Sequence, residues 1–290
     1  MKKLQRFKPY LCILPSFALI AIFYYYTVVY AIGLSLTDTR LGFKGNFIWF
    51  SNYIRLFSDP IFIQSIKNMG FFAVFDLIKA IFFPLLAAEL LCFIRSNTKV
   101  EFLKRVFIFP MLVPGMVGMM LWYNMLDPNL GAVNQLLDLL KLGALKHNWF
   151  FDEKTALWSI LSIGFPFIAG LYFLIFHNAL NTIPQEHIEA AKLDGCSSLQ
   201  LIRYIHIPTI IPYAGTVAML ALMGSLQDYL RVLITTRGGP GYSTYVPALI
   251  MYKNMGSEVG YAASAGVICF ILILLATIVI RRLISLADRY

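Results

Sequence analysis

Apolar residues run along this chain in long blocks instead of alternating with polar ones. Six blocks, roughly 11 to 35, 70 to 94, 105 to 126, 156 to 180, 209 to 233 and 259 to 281, approach or exceed the length of about 20 residues that a helix needs to cross a hydrocarbon core. The pattern predicts an all-α integral membrane protein of six transmembrane helices. The connections carry no low-complexity tract, no Gly/Ser linker and no fixed-period repeat, so residues 11–281 read as one membrane domain between short tails, 1–10 and 282–290. The apolar stretch after the basic start lacks a small-x-small cleavage site and reads as a retained anchor, not a removable signal.

Composition sharpens this picture. Hydrophobic residues make up 59% of the chain and charged ones 13%, against about 25% charged in an average soluble domain. The formal net charge of +9 does not indicate nucleic acid, because the basic residues sit in short inter-helix segments and not on a basic face interleaved with aromatics. It reports topology instead. Lys2, Lys3, Arg6 and Lys8 crowd the N-terminal tail and Arg95, Lys99, Lys104 and Arg105 follow the second block, whereas the longer connections 36–69 and 127–155 are sparsely basic. Dense Lys/Arg marks the cytoplasmic side. Both termini, with Arg281 and Arg282 near the second, are therefore expected in the cytoplasm. A multi-pass protein of a cytoplasmic membrane, embedded in a lipid bilayer, is the reading.

That topology places the polar segment "IPQEHIEAAKLDGCSSLQLIRYIHIPTIIP" in the cytoplasm, between the fourth and fifth spans. Its grammar is that of a helix pair. Pro184 suits a first turn, Glu186 and Glu189 lie early where the helix dipole favours anions, and Gly195 can take the left-handed conformation that closes a helix. Ser197 and Gln200 have capping-box spacing, and Pro208 is read as ending the second helix before Pro212 opens the fifth span.

Within that segment, Glu189, Ala190, Ala191, Asp194, Gly195, Ile205 and Pro208 match the E-A-A-x-x-D-G-A-x(8)-I-x-x-P loop of ABC importer permeases, with Cys196 at the usual alanine. The chain resembles that family over most of its length, and is most similar to permeases of the maltose, glycerol-phosphate and multiple-sugar group. Pro110, Pro114, Trp122, Asp127, Pro128, Gly131 and Asn134 carry the likeness through the third span and the loop after it. "TTRGGPGYSTY", with Thr236, Gly238, Gly239 and Pro240, is similar to an outer turn of the first, maltose F-like, of two paired subunits.

The resemblance implies a type I ABC importer transmembrane domain in a bacterial or archaeal membrane. It also implies partners: a second homologous permease, two copies of a cytoplasmic ABC ATPase that bind ATP and Mg, and an extracytoplasmic solute-binding protein. In that family the 183–208 loop is the coupling helix, docked on the ATPase. Glu189 would then be the docking carboxylate, Gly195 the break, and Ala190 and Ala191 the points of close approach. The transported solute would be a carbohydrate or a related polyol, moved by alternating access.

Polar residues within the spans are candidates for the pathway, because charge in hydrocarbon is costly and faces a bundle interior or a water-filled path. Asp76 and Lys79, three apart, are expected to neutralise each other on one helix face. Glu89, near the end of the same span, has a structural role in this reading. Gly224, Ser225, Gln227, Asp228 and Arg231 concentrate polarity in two turns of the fifth span, and Gly224, Asp228 and Arg231 share a face by their i, i+4, i+7 spacing. Gln227, Asp228, Tyr229 and Arg231 are candidate sugar contacts or, equally, an internal ion pair facing a partner subunit, and Tyr172 is a candidate aromatic wall. Residues 245–255 are too short an apolar stretch to span and suit a segment buried against protein.

Catalysis has no support in the sequence. A Walker A loop needs G-x-x-x-x-G-K-[ST], which is absent, and no catalytic serine or zinc motif occurs. Cys12, Cys92, Cys196 and Cys269 lie far apart without metal-ligand spacing, and the four histidines form no local cluster. No cofactor is expected in the chain itself. The competing assignment is an ion-coupled secondary transporter relaying through Asp76, Lys79 or Asp228; it would bring inverted repeats or paired broken helices, and neither is detected in the sequence.

Overall fold

The computed structural model describes residues 2–287, with side chains described at 10, 12–282 and 284. The basic side chains Lys2, Lys3, Arg6 and Lys8 and the last three residues of the C-terminal tail lie outside the described residues. The backbone is helical almost throughout: α1 (Lys2–Ile20), α2 (Tyr26–Ser35), α3 (Ser51–Ser58), α4 (Pro60–Cys92), α5 (Asn97–Ile108), α6 (Gly115–Met125), α7 (Ala132–Leu139), α8 (Ala156–Ser162), α9 (Gly170–Leu180), α10 (Gln185–Leu193), α11 (Ser198–Leu201), α12 (Ile207–Gln227), α13 (Leu230–Thr235), α14 (Pro247–Asn254) and α15 (Val259–Ala287). Among the described residues, β pairing is confined to two isolated bridges near Thr37 and Arg40.

Among the described residues, four helical segments are long and apolar enough to cross a membrane: Cys12–Ser35, Pro60–Cys92, Ser198–Gln227 and Val259–Arg282. A fifth is a pair bent by 94°, Asn97–Leu112 with Gly115–Met125, and Gly170–Leu180 is a shorter apolar helix.

Three of the expected spans are therefore not continuous. The block at 105 to 126 bends where Pro114, which has no N–H to give, holds Val113 extended at φ −77° and ψ 125°. The block at 156 to 180 is two helices, parted by a loop in which Gly164 and Phe167 adopt positive φ. The block at 209 to 233 stops at Gln227. Asp228 turns extended (φ −79°, ψ 104°) and its carboxylate accepts the Arg231 N–H at 3.2 Å, in the first turn of α13.

Pro208 does not end a helix, contrary to the expectation. α11 passes into α12 through a wide π-turn over Ile202–His206, closed by the Ile207 N–H on the Ile202 carbonyl. Proline would clash with the carbonyl four residues back, and the widened turn moves that carbonyl away. A second π-turn, Ala21–Tyr25, joins α1 to α2 in the same way.

The core sits between α4, α9 and α12. Ala80, Ala87 and Ala88 let α4 approach Phe173, Phe176 and Ala179 of α9 and Val217 and Ala221 of α12, as small residues do where helices meet in lipid. A second cluster joins Phe72 of α4 to Phe150, Ile160, Leu161, Val232 and Leu249. A third seats α14 on α15 and α4 through Ile250, Phe62, Tyr261 and Ile268, so the apolar stretch at 245–255 is buried against protein over Val246–Ile250, while Tyr252 and Met255 are exposed.

Candidate functional site

Asp76, Lys79, Asp228 and Arg231 meet at one place. Asp76, on α4, is the acceptor at its centre. Its Oδ1 takes the Lys79 ammonium at 2.8 Å and one Arg231 nitrogen at 3.1 Å, and its Oδ2 takes the other terminal Arg231 nitrogen and the Ser225 hydroxyl, the latter at 2.7 Å. Arg231 also donates through Nε to Asp228. Lys79 donates further to the Leu161 carbonyl at 2.9 Å and lies over the rings of Phe75 and Phe167, while Arg231 lies over Phe72. Two carboxylates and two cations thus compensate each other in a region where unpaired charge would be expensive.

This cluster forms one wall of a cleft of about 670 Å³ bounded by α4, the loop before α9, and α12. Of the residues singled out as pathway candidates, Asp228, Arg231 and Tyr172 line the cleft together with Asp76 and Lys79. Gln227 and Tyr229 are not brought to it. Gln227 is exposed and donates to the Met223 carbonyl, and Tyr229 stacks on Tyr252 with ring centres 4.9 Å apart. The helix break after Gln227 explains the division: Gln227 and Tyr229 turn away from the cleft, while Gly224, Asp228 and Arg231, expected to share a face, all line it. Phe167 is a cleft residue that the sequence did not single out; a phenylalanine inside an apolar block carries no distinguishing signal.

At one end of the bundle α10 and α11 stand out from the core. Pro184 is the N-cap of α10, one position earlier than expected. Gly195 has φ +78°, its N–H bonds the Lys192 carbonyl at 3.1 Å, and the Cys196 N–H reaches back to Ala191 at 2.9 Å. That is a Schellman closure, which needs the left-handed residue that glycine supplies. Ser197 and Gln200 complete both halves of a capping box. Glu189, Ala190, Asp194, Gly195 and Pro208 are exposed, and Ala191 is half-buried. Leu193 and Leu199 are 89% and 77% exposed on either side of the glycine turn. Nothing along the chain marks these two leucines out, because a leucine on a short amphipathic helix ordinarily faces a core.

At the other end, Gly238 (φ +98°), Gly239 and Pro240 form a turn tied by the Thr236 and Thr244 hydroxyls, 2.7 Å apart, and by Thr244 donating to the Gly239 carbonyl. Asn68 of α4 donates to the Ser243 and Tyr245 carbonyls and holds the segment down. A β-carbon on Gly238 would lie 2.2 Å from the Tyr245 ring. Gly238→Ala is accordingly expected to lower stability by about 1–2 kcal/mol from backbone strain alone, with the clash added; the recovery of folded protein after extraction measures it.

The Asp127 to Asn134 motif is a second knot at that end. Asn134 donates to the Pro128 carbonyl at 3.0 Å and accepts the Trp149 indole N–H at 2.9 Å. The Leu130 and then the Asn129 backbone N–H hold the Asp127 carboxyl below the usual carboxylate range, so it stays a charged acceptor at neutral pH.

Among the described residues, no three His, Cys, Asp or Glu side chains converge as a metal site would require.

Comparison with known proteins identifies the architecture. Residues 80–286 match the family described as binding-protein-dependent transport system inner membrane component. A probable ABC transporter permease protein of Pyrococcus horikoshii is 33% identical over 93% of this chain and 92% of its own. The diacetylchitobiose uptake system permease protein of Streptomyces coelicolor is 26% identical over 89% of this chain and 76% of its own. Among solved structures, a chain of a bacterial alginate ABC transporter, in complex with a periplasmic protein carrying an alginate pentasaccharide, superposes with a TM-score of 0.86 at 19% identity, over 99% of this chain and 97% of that one. A cleft with one charged wall inside a helical bundle, an exposed helix pair at one end and this match over most of the chain converge: the chain belongs to the binding-protein-dependent transport inner membrane components, and is a multi-pass ABC permease subunit that does not itself hydrolyse ATP.

Proposed function

We propose that this permease subunit has six spans with both termini in the cytoplasm, and that it forms half of an importer for a carbohydrate or related polyol. The other half is a second homologous permease. Two cytoplasmic ATPases bind ATP and Mg, an extracytoplasmic binding protein delivers the solute, and transport proceeds by alternating access. Membership of this family displaces the ion-coupled alternative.

The observation that carries the coupling role is the exposure of Leu193 and Leu199 on a rigid, doubly capped helix pair. Two large aliphatic side chains standing clear of the fold at a polar end call for a protein surface to cover them. Glu189, Ala190, Ala191, Asp194, Gly195 and Pro208 belong to the same elbow, which reaches α12 without a loop. A push on α10 and α11 therefore passes directly into a membrane helix that lines the cleft.

The solute class follows from the relatives and from the lining of the cleft. Relatives include permeases of diacetylchitobiose and sn-glycerol-3-phosphate systems. The cleft combines Tyr172 and Phe167 with hydrogen-bonding groups whose charges cancel, which suits a hydroxyl-rich solute. Asp228, Arg231 and Tyr172 are its proposed contacts, with Gln227 and Tyr229 able to act only after rearrangement. The Gly238, Gly239 and Pro240 turn faces the binding protein in this reading.

The test is a reconstituted complex in proteoliposomes, with ATP inside and sugar-loaded binding protein outside. Leu193→Asp should leave the chain in the membrane and reduce both ATPase co-purification and sugar uptake by about tenfold, equivalent to about 1.4 kcal/mol of lost contact. Full uptake and full ATPase retention in that variant would reject the docking role.

A further inference from the structure

We propose that Glu89 and His206 form the fulcrum about which the helix pair turns α12, making both of them positioning residues for transport. This rests on the coupling role proposed above. His206 Nδ1 lies 2.8 Å from Glu89 Oε2, so the ring donates to the carboxylate across 117 positions of sequence. Both residues are buried, at 3% and 7% exposure.

Their place in the chain is what gives the contact its effect. His206 is the last residue of the π-turn between α11 and α12, and Glu89 is one turn from the end of α4. Backbone bonding is poorest just there. The π-turn has traded four-residue bonds for a five-residue one, and Pro208 offers no N–H at all. A load applied at α10 would bend the chain at this section before it moved α12. The side-chain bond ties that section to α4, so the load becomes rotation about the α4 end instead of local bending.

Stability alone does not account for the pair. Glu89 Oε1 is buried without a hydrogen-bond partner, so the carboxylate is only half satisfied where an apolar side chain would incur no such cost. Ala88, Leu91 and Ile205 already pack this junction. The polar link adds direction to a contact that apolar packing would otherwise leave free to slide.

The test uses the full reconstituted transporter and reads two rates in parallel, ATP hydrolysis and solute uptake. In Glu89→Leu/His206→Phe, which keeps the volume and removes the link, and in His206→Asn, which shortens the reach, hydrolysis should stay within about twofold of the parent. Solute imported per ATP should fall by about fivefold or more in both, the size of a modest coupling energy. Glu89→Gln retains an acceptor for the ring N–H and should hold a near-parental ratio. A parental ratio in either assembled loss variant overturns the fulcrum, as does an equal loss in Glu89→Gln. Gly195→Pro, in the same membranes, separates the two levels: normal uptake there overturns the lever and the fulcrum with it. Blocked uptake there, with proportionate losses of both rates in the Glu89 and His206 variants, overturns the fulcrum alone.

Discussion

Replacing Asp76 with alanine is expected to cost the folded chain about 3–5 kcal/mol, the range for removing one partner of a buried ion pair. Asp76 receives four hydrogen bonds from three side chains, and Lys79 and Arg231 are both nearly enclosed. Without it, Asp228 remains the only carboxylate for two cations in the cleft wall. The expected result is a sharp fall in folded protein recovered in detergent and a lower unfolding midpoint. Asp76→Leu combined with Lys79→Met, Arg231→Met and Asp228→Asn should restore much of the stability, because replacing a whole buried ionic group by uncharged side chains is often neutral or stabilising. The same quadruple variant should not restore uptake if these groups meet the solute.

The second large effect is Gly195→Pro. At residue 195 φ is +78°, whereas proline is confined near −65°, and the substitution also removes the N–H that bonds Lys192. The Schellman closure cannot survive this, and α10 would lose its fixed angle to α11. Sugar uptake should drop to background, while the amount of protein in the membrane stays near parental because no core residue is touched. Gly195→Ala should fall between the two, since a left-handed non-glycine residue costs about 1–2 kcal/mol. Undiminished uptake in Gly195→Pro would mean that the helix pair does not transmit force.

Particular residues show how far the sequence could be read. The polar helix pair was legible because its signals are local: a glycine, a capping box and early acids lie within one another's reach along the chain. The spans were legible as blocks of hydrophobicity, but their breaks were not. Pro84 sits inside the uninterrupted α4 and Pro212 inside α12, whereas the break at Asp228 has neither proline nor glycine to announce it. Proline in these helices is accommodated by neighbouring helices or wide turns, so its presence does not locate a break. The sequence paired Asp76 with Lys79, three residues away; the Arg231 guanidinium comes from 155 positions further on, and no one-dimensional spacing encodes that meeting. Gln227 and Tyr229 were grouped with Asp228 by proximity along the chain, and the broken helix sends them elsewhere.

The π-turn beneath Pro208 sets the phase between the cytoplasmic elbow and the membrane. Each residue of a helix advances its face by about 100°. Deleting one residue between Ile202 and His206 would let that turn relax to ordinary α geometry, and Leu193 and Leu199 would then be presented to a different quarter of the compass while every hydrophobic contact of α12 stayed in place. A single inserted residue is thus enough to aim a docking surface, which lets the direction of the motor's grip evolve independently of the walls of the path it drives.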